Sequence, residues 1–195
     1  MKQILSTALS VLLVAAFAMS QNPQGPPKPA PELKRLAFFQ GTWKVEGEMK
    51  PGPFGPGGKM SGTDRAAWDL GRAFLVTHST MSGAGMNGTG VSYLGYDTQK
   101  KQYTYDAFNS FGQAEHATGT VNDKTWTWTS ESTMNGQKVS SRGTITEASP
   151  TSYTMNFEYS TDEGKTWAPA MQATATKQAA SARATRKPAA VPSSQ

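Results

Sequence analysis

Cysteine is absent from the 195 residues. That excludes disulfides, thiolate metal sites and acylation at a lipobox cysteine. Stability must come from a core instead. Histidine occurs only twice, as His78 and His116, and two histidines with no third ligand nearby do not make a zinc site. Long apolar runs are also scarce. The one present, Ile4 to Phe17, is broken by Ser6, Thr7 and Ser10 and falls short of the roughly 20 apolar residues that a membrane span needs. Charge of one sign is lacking where it would matter. The chain carries +5 overall, yet residues 33–177 hold 14 Lys+Arg against 13 Asp+Glu. A neutral body is not the basic face that nucleic-acid binding requires, and no nucleic-acid partner is expected.

What is there begins with an address. Lys2, the short apolar run, and small residues at Ala18 and Ser20 form a secretory signal peptide over residues 1–20. Cleavage is expected after Ser20, with Ala18 as the alternative. The mature protein is then periplasmic or extracellular, without a transmembrane segment, and a monomer or homodimer. Residues 21–32 read as a Pro-rich disordered linker. Residues 178–195 read as a disordered tail, basic and rich in Ala, Ser and Pro, because neither segment buries enough apolar area to offset its ordering entropy.

Between the flanks, residues 33–177 read as strand after strand. Trp43, Val45, Gly47 and Met49 alternate with Lys44, Glu46, Glu48 and Lys50, a period of two. Trp126 and Trp128 share one face, opposite Thr125, Thr127 and Thr129. Tyr153, Met155, Phe157 and Tyr159 repeat the pattern. Asn135-Gly136 is a strong hairpin signal. The one helical candidate, Pro31–Phe39, spans a turn or two. About ten strands joined by short turns make an all-β, antiparallel, up-and-down meander, which closes most simply into a barrel because closure removes both edges. A two-sheet sandwich is the rival.

Several motifs admit a structural reading. Ser160, Asp162, Gly164, Thr166 and Trp167 match the Asp-box of sialidases. One copy in a chain too short for a propeller reads as a structural hairpin turn. Gly83 to Gly88 matches G-x-G-x-x-G, but no helical pattern follows, and a flexible hairpin loop is expected rather than a nucleotide site. Asp106, Ser110 and His116 supply the residue types of a triad, yet "FNSFG" is no nucleophile elbow. No catalytic residue and no metal ligand is assigned, and an enzyme acting on a small hydrophobic substrate stays an alternative to a binding protein.

Three segments carry a family resemblance: "FFQGTWKVEGEMKPGP", "SGTDRAAWDLGRAFLV" and "GVSYLGYDTQKKQYTYDAFNSFG". The chain resembles the bacterial domain of unknown function 1579 family over about residues 33–177. The resemblance implies a calycin- or lipocalin-like barrel with Gly41-Thr42-Trp43 opening the first strand and its tryptophan plugging the closed end. It implies no agreed activity. Distantly related nitrobindin-like proteins hold haem through a histidine late in the chain, and here none follows His116.

The reading is an exported barrel that binds a small hydrophobic or amphipathic molecule inside. Trp43, Trp68, Phe74, Trp126, Met155 and Phe157 are the expected walls. His78 or His116 is the polar anchor, or the ligand of a haem in the alternative reading; otherwise no cofactor is expected. The loop Pro51–Gly58 gates access. A further alternative is a non-catalytic cell-envelope interaction protein that works through its basic tail.

Overall fold

Alternation in the first strand sets the faces of the whole sheet. Strand β1 (Gly41–Met49) buries Trp43 and Val45 and exposes Lys44 and Glu46. Antiparallel partners directly opposite one another share a face, so each register carries this parity to the next strand. The computed structural model describes residues 28–134 and 136–179. The signal peptide, most of the linker and most of the tail lie outside the described residues.

Nine further strands follow: β2 (Gly58–Asp69), β3 (Phe74–Gly83), β4 (Met86–Asp97), β5 (Gln102–Asn109), β6 (Ala114–Asn122), β7 (Thr125–Met134), β8 (Gln137–Ser149), β9 (Ser152–Ser160) and β10 (Ala168–Lys177). Each pairs antiparallel with its sequence neighbour, and β1 pairs with β10. The meander is a closed barrel, and the sandwich alternative is excluded.

One boundary differs from the sequence reading. The Gly83–Gly88 stretch is not a flexible loop. Strands β3 and β4 run into it and pair up to Gly83 and Met86, leaving Ala84 and Gly85, both at positive φ, as a two-residue hairpin turn. The last strand starts at Ala168, just past the Asp-box turn that engages Thr166 and Trp167.

A 3-10 segment at Pro31–Phe39 closes one end of the barrel, with Leu33, Leu36 and Phe39 buried. Trp43 is 1% exposed and donates its indole N–H to the Phe39 carbonyl at 2.7 Å. Tyr153 packs on it with ring centroids 4.8 Å apart. Trp126, fully buried, meets Phe39 and Tyr103 edge-on and lies parallel to Trp128. Gly119 makes room for this stack: a Cβ there would lie 2.5 Å from the Trp128 ring. Lys177 completes the floor by donating to the Phe38 carbonyl at 3.3 Å with its ammonium over the Trp43 ring.

Trp43→Ala removes this buried indole and its hydrogen bond. A large-to-small core change of this kind costs about 3–5 kcal/mol. Urea unfolding followed by circular dichroism is expected to show that loss; a loss below about 1 kcal/mol would mean the plug does not hold the barrel.

Candidate functional site

Above the aromatic floor the barrel axis is lined differently. Inward parity on β2 runs through Met60, Gly62, Asp64, Ala66 and Trp68, because Trp43 faces Asp64 and Gly47 faces Met60. On β3 it runs through Leu75, Thr77, Ser79 and Met81. On β9 and β10 it takes Met155, Phe157, Met171 and Ala173. Met49, Met81, Met155 and Met171 are only partly buried although they pack against the core. These side chains take inward positions and stay partly exposed.

Strands β2 to β7 also carry inward polar groups. Asp64 faces Ser79 across β2 and β3, and Ser79 hydrogen-bonds the carboxylate. Burial nevertheless pushes the Asp64 carboxyl above its usual range. Ser92 is buried and hydrogen-bonds Tyr105. Burial, with the Glu115 carboxylate beside it, pushes the Tyr105 hydroxyl up to about 12. Glu115 shares the inward parity of buried Ala117 and accepts from the Ser130 hydroxyl at 3.0 Å. Burial also raises Tyr153, nearer the floor.

The sequence-predicted residues divide among three places. Trp43 and Trp126 face inward but belong to the packed floor, where Trp126 donates to Glu147 at 2.8 Å. Trp68, Met155 and Phe157 face inward and are partly buried. The Trp68 indole nitrogen is buried without a partner, and the Arg72 guanidinium covers its ring at 5.3 Å. Phe74 is a correction. It pairs with outward-facing Asp69, lies across Gly95 and meets Tyr93 edge-on, all on the outer surface.

Both histidines are corrections too. His78 pairs with Arg65 and Val91 on the outward parity and is exposed. His116 is 63% exposed and meets Asp106 at 2.7 Å, outside the barrel. Neither can anchor an interior ligand or ligate a haem held in the interior. The Asp106–His116 pair has no serine to activate, since Ser110 accepts the Thr89 amide. Asp64 and Glu115 escaped the sequence reading. The signal for Asp64 was its parity, two positions from Ala66 and four from Trp68.

The mouth lies opposite the floor. There Phe54 of the 51–57 loop packs edge-on against Tyr159, at 5.3 Å. The Asp-box turn also sits here. Ser160 donates to Asp162 at 2.7 Å and accepts from the Gly164 amide. Asp162 accepts from both the amide and the hydroxyl of Thr166. The Trp167 indole donates to the Gly164 carbonyl, and Arg142 lies 4.3 Å over its ring. These bonds hold the Asp162 carboxyl down to about 2. Two depressions, of about 280 and 560 Å³, lie mainly on the outer wall, one over Asn156 and Gln172 and the other over Lys44 and Arg65. Among the described residues no helix is long and apolar enough to cross a membrane.

A family described as a protein of unknown function, DUF1579, matches residues 28–177. The chain belongs to the DUF1579 family. Among solved structures, this DUF1579 chain is similar to Rv2717c from M. tuberculosis, at 13% identity and a TM-score of 0.53, over 78% of this chain and 100% of that one. It is also similar to the S-type phycobiliprotein lyase CPES from Guillardia theta, at 11% identity and a TM-score of 0.50, over 76% of this chain and 93% of that one. At these identities the likeness shows the barrel fold alone. No curated protein matches the sequence.

Two titrations follow from the geometry. Asp64 has a raised carboxyl, so its ionisation opposes folding above that raised value and costs nothing below the unfolded value near 3.8. Asp64→Asn is therefore expected to raise the urea midpoint at pH 8 and to lose that advantage below pH 3.8; an equal effect at both pH values contradicts the buried placement. Asp162 has the opposite sign. Its contribution is present above 3.8 and is lost as pH falls through about 2. Asp162→Ala is expected to lower Tm at neutral pH and to matter little near pH 2, as a pair of thermal scans would show.

Proposed function

We propose that this DUF1579 protein binds a small amphipathic molecule in the upper barrel interior, its apolar part against the methionine wall. The observation that carries the reading is the partial exposure of Met49 and Met155, which take inward positions on paired strands. Closed barrels of this class enclose space that side chains do not fill. Methionine suits such a wall because its unbranched thioether adapts to irregular apolar shapes. The binding step is burial in a preformed cavity closed at one end. The loop bearing Phe54 controls access from the other end.

The role is non-catalytic and exported. The export part rests on Lys2 and the run from Ile4 to Phe17. Catalysis has no support, because the acid–base pair of Asp106 and His116 faces solvent on the outer wall.

Nile red, a neutral apolar fluorophore, tests the reading. The wild-type protein is expected to bind it at one site with enhanced, blue-shifted emission. Met155→Trp fills the chamber and is expected to weaken that binding about tenfold or more, with the circular dichroism spectrum unchanged; tenfold corresponds to about 1.4 kcal/mol. A folded protein that binds neither Nile red nor any other apolar probe would overturn the proposal.

A further inference from the structure

We infer that the interior selects a cationic amphipath, one carrying an alkylammonium-type head, over a fatty-acid-like anion. This deepens the proposed function and rests on it. The inference comes from a census of the charges that point at the barrel axis.

Two carboxylates take inward positions: Asp64 on β2, directly opposite Trp43, and Glu115 on β6, at the mouth end of its strand. Tyr105 stands between them on β5, and the field of both reaches its hydroxyl. The polar groups beside them are neutral hydroxyls, chiefly Ser79, Ser92 and Ser130. No cation within strands β1 to β9 takes an inward position. Lys44, Lys59, Arg65, Lys138 and Arg142 alternate with the inward positions of their strands and face out. Lys44, Lys138 and Arg142 are moreover paired with Glu46, Glu131 and Glu158 on the outer surface. Lys177 faces inward at the floor, where it is held by the Phe38 carbonyl and the Trp43 ring. Arg35 is held beneath the floor by Glu147 and the Asp123 carbonyl.

An acyl carboxylate entering this space would meet two like charges and no counter-ion. A carboxylate taken out of water beside Asp64 would add the cost of a like charge. A cationic head gains what Asp64 lacks, a charged hydrogen-bond partner in a partly desolvated setting. Ser79 alone does not supply it, as the raised Asp64 carboxyl attests. The methionine side then takes the alkyl chain, so the two walls together match a molecule with one charged end.

The test is competition against Nile red by octylammonium, 1-octanol and octanoate at pH 7, each below its micellar concentration. The inference predicts that octylammonium binds about tenfold or more tightly than octanoate, the scale of one charge-assisted hydrogen bond, and more tightly than octanol. In Asp64→Asn with Glu115→Gln the ratio of octylammonium to octanol affinity is expected to collapse towards one. Glu115→Gln alone, at an exposed position, gives the same direction where the double variant fails to fold. Octanoate or octanol binding as tightly as octylammonium overturns the charge selection and leaves the chamber intact. A preference that survives both substitutions overturns it as well. If the wild-type protein binds none of the three and no Nile red, the chamber itself fails.

Discussion

The indole of Trp43, hydrogen-bonded to the Phe39 carbonyl and packed on Tyr153, is the contact on which the remainder depends. It ties the 3-10 segment into one end of the barrel. It also fixes which face of β1 is inside, and the pairing of neighbours transmits that choice around ten strands. A one-residue slip would turn Lys44 and Glu46 inward, so the buried indole makes the register costly to change. With that end sealed by Phe39, Trp126 and Tyr153, the space beyond has a single mouth.

The two halves of the interior then follow opposite rules. The lower half is close-packed, with Trp43, Trp126, Leu36 and Leu75 wholly buried. The upper half keeps methionines partly exposed and admits carboxylates. A buried carboxylate is expensive unless something solvates or pairs it. Asp64, directly opposite Trp43, has only Ser79 to offset its burial. Stability thus resides near the floor and chemistry near the mouth, with the Asp-box turn and the Phe54 loop shaping the rim.

The fold was legible in the sequence because its signals are local. Period-two alternation, short polar turns and Asn135-Gly136 need no knowledge of distant contacts, and Trp43 announced the first strand. Parity held wherever an apolar stripe was clean, as at Trp126 and Trp128 or Met155 and Phe157. It failed where both faces carry apolar groups. Phe74 and Val76 look like a core face but form an outer patch over Gly95 and Tyr93, and His78 went with them. Leu75, on the true inner face, is the fully buried one. Asp64 was missed because a charge inside a strand reads as a solvent-facing residue. Its placement is decided by pairing with Trp43, a contact that only the folded barrel creates.

The central claim is that the space above the Trp43 floor is an open chamber lined by methionines. Methyl-¹³C methionine NMR during titration with 1-octanol tests it most directly. The account predicts that the Met155 and Met171 methyl resonances move together and saturate, while Met60, 8% exposed, moves less. Shifts absent from Met155 and Met171, or confined to methionines outside the interior, would contradict the account.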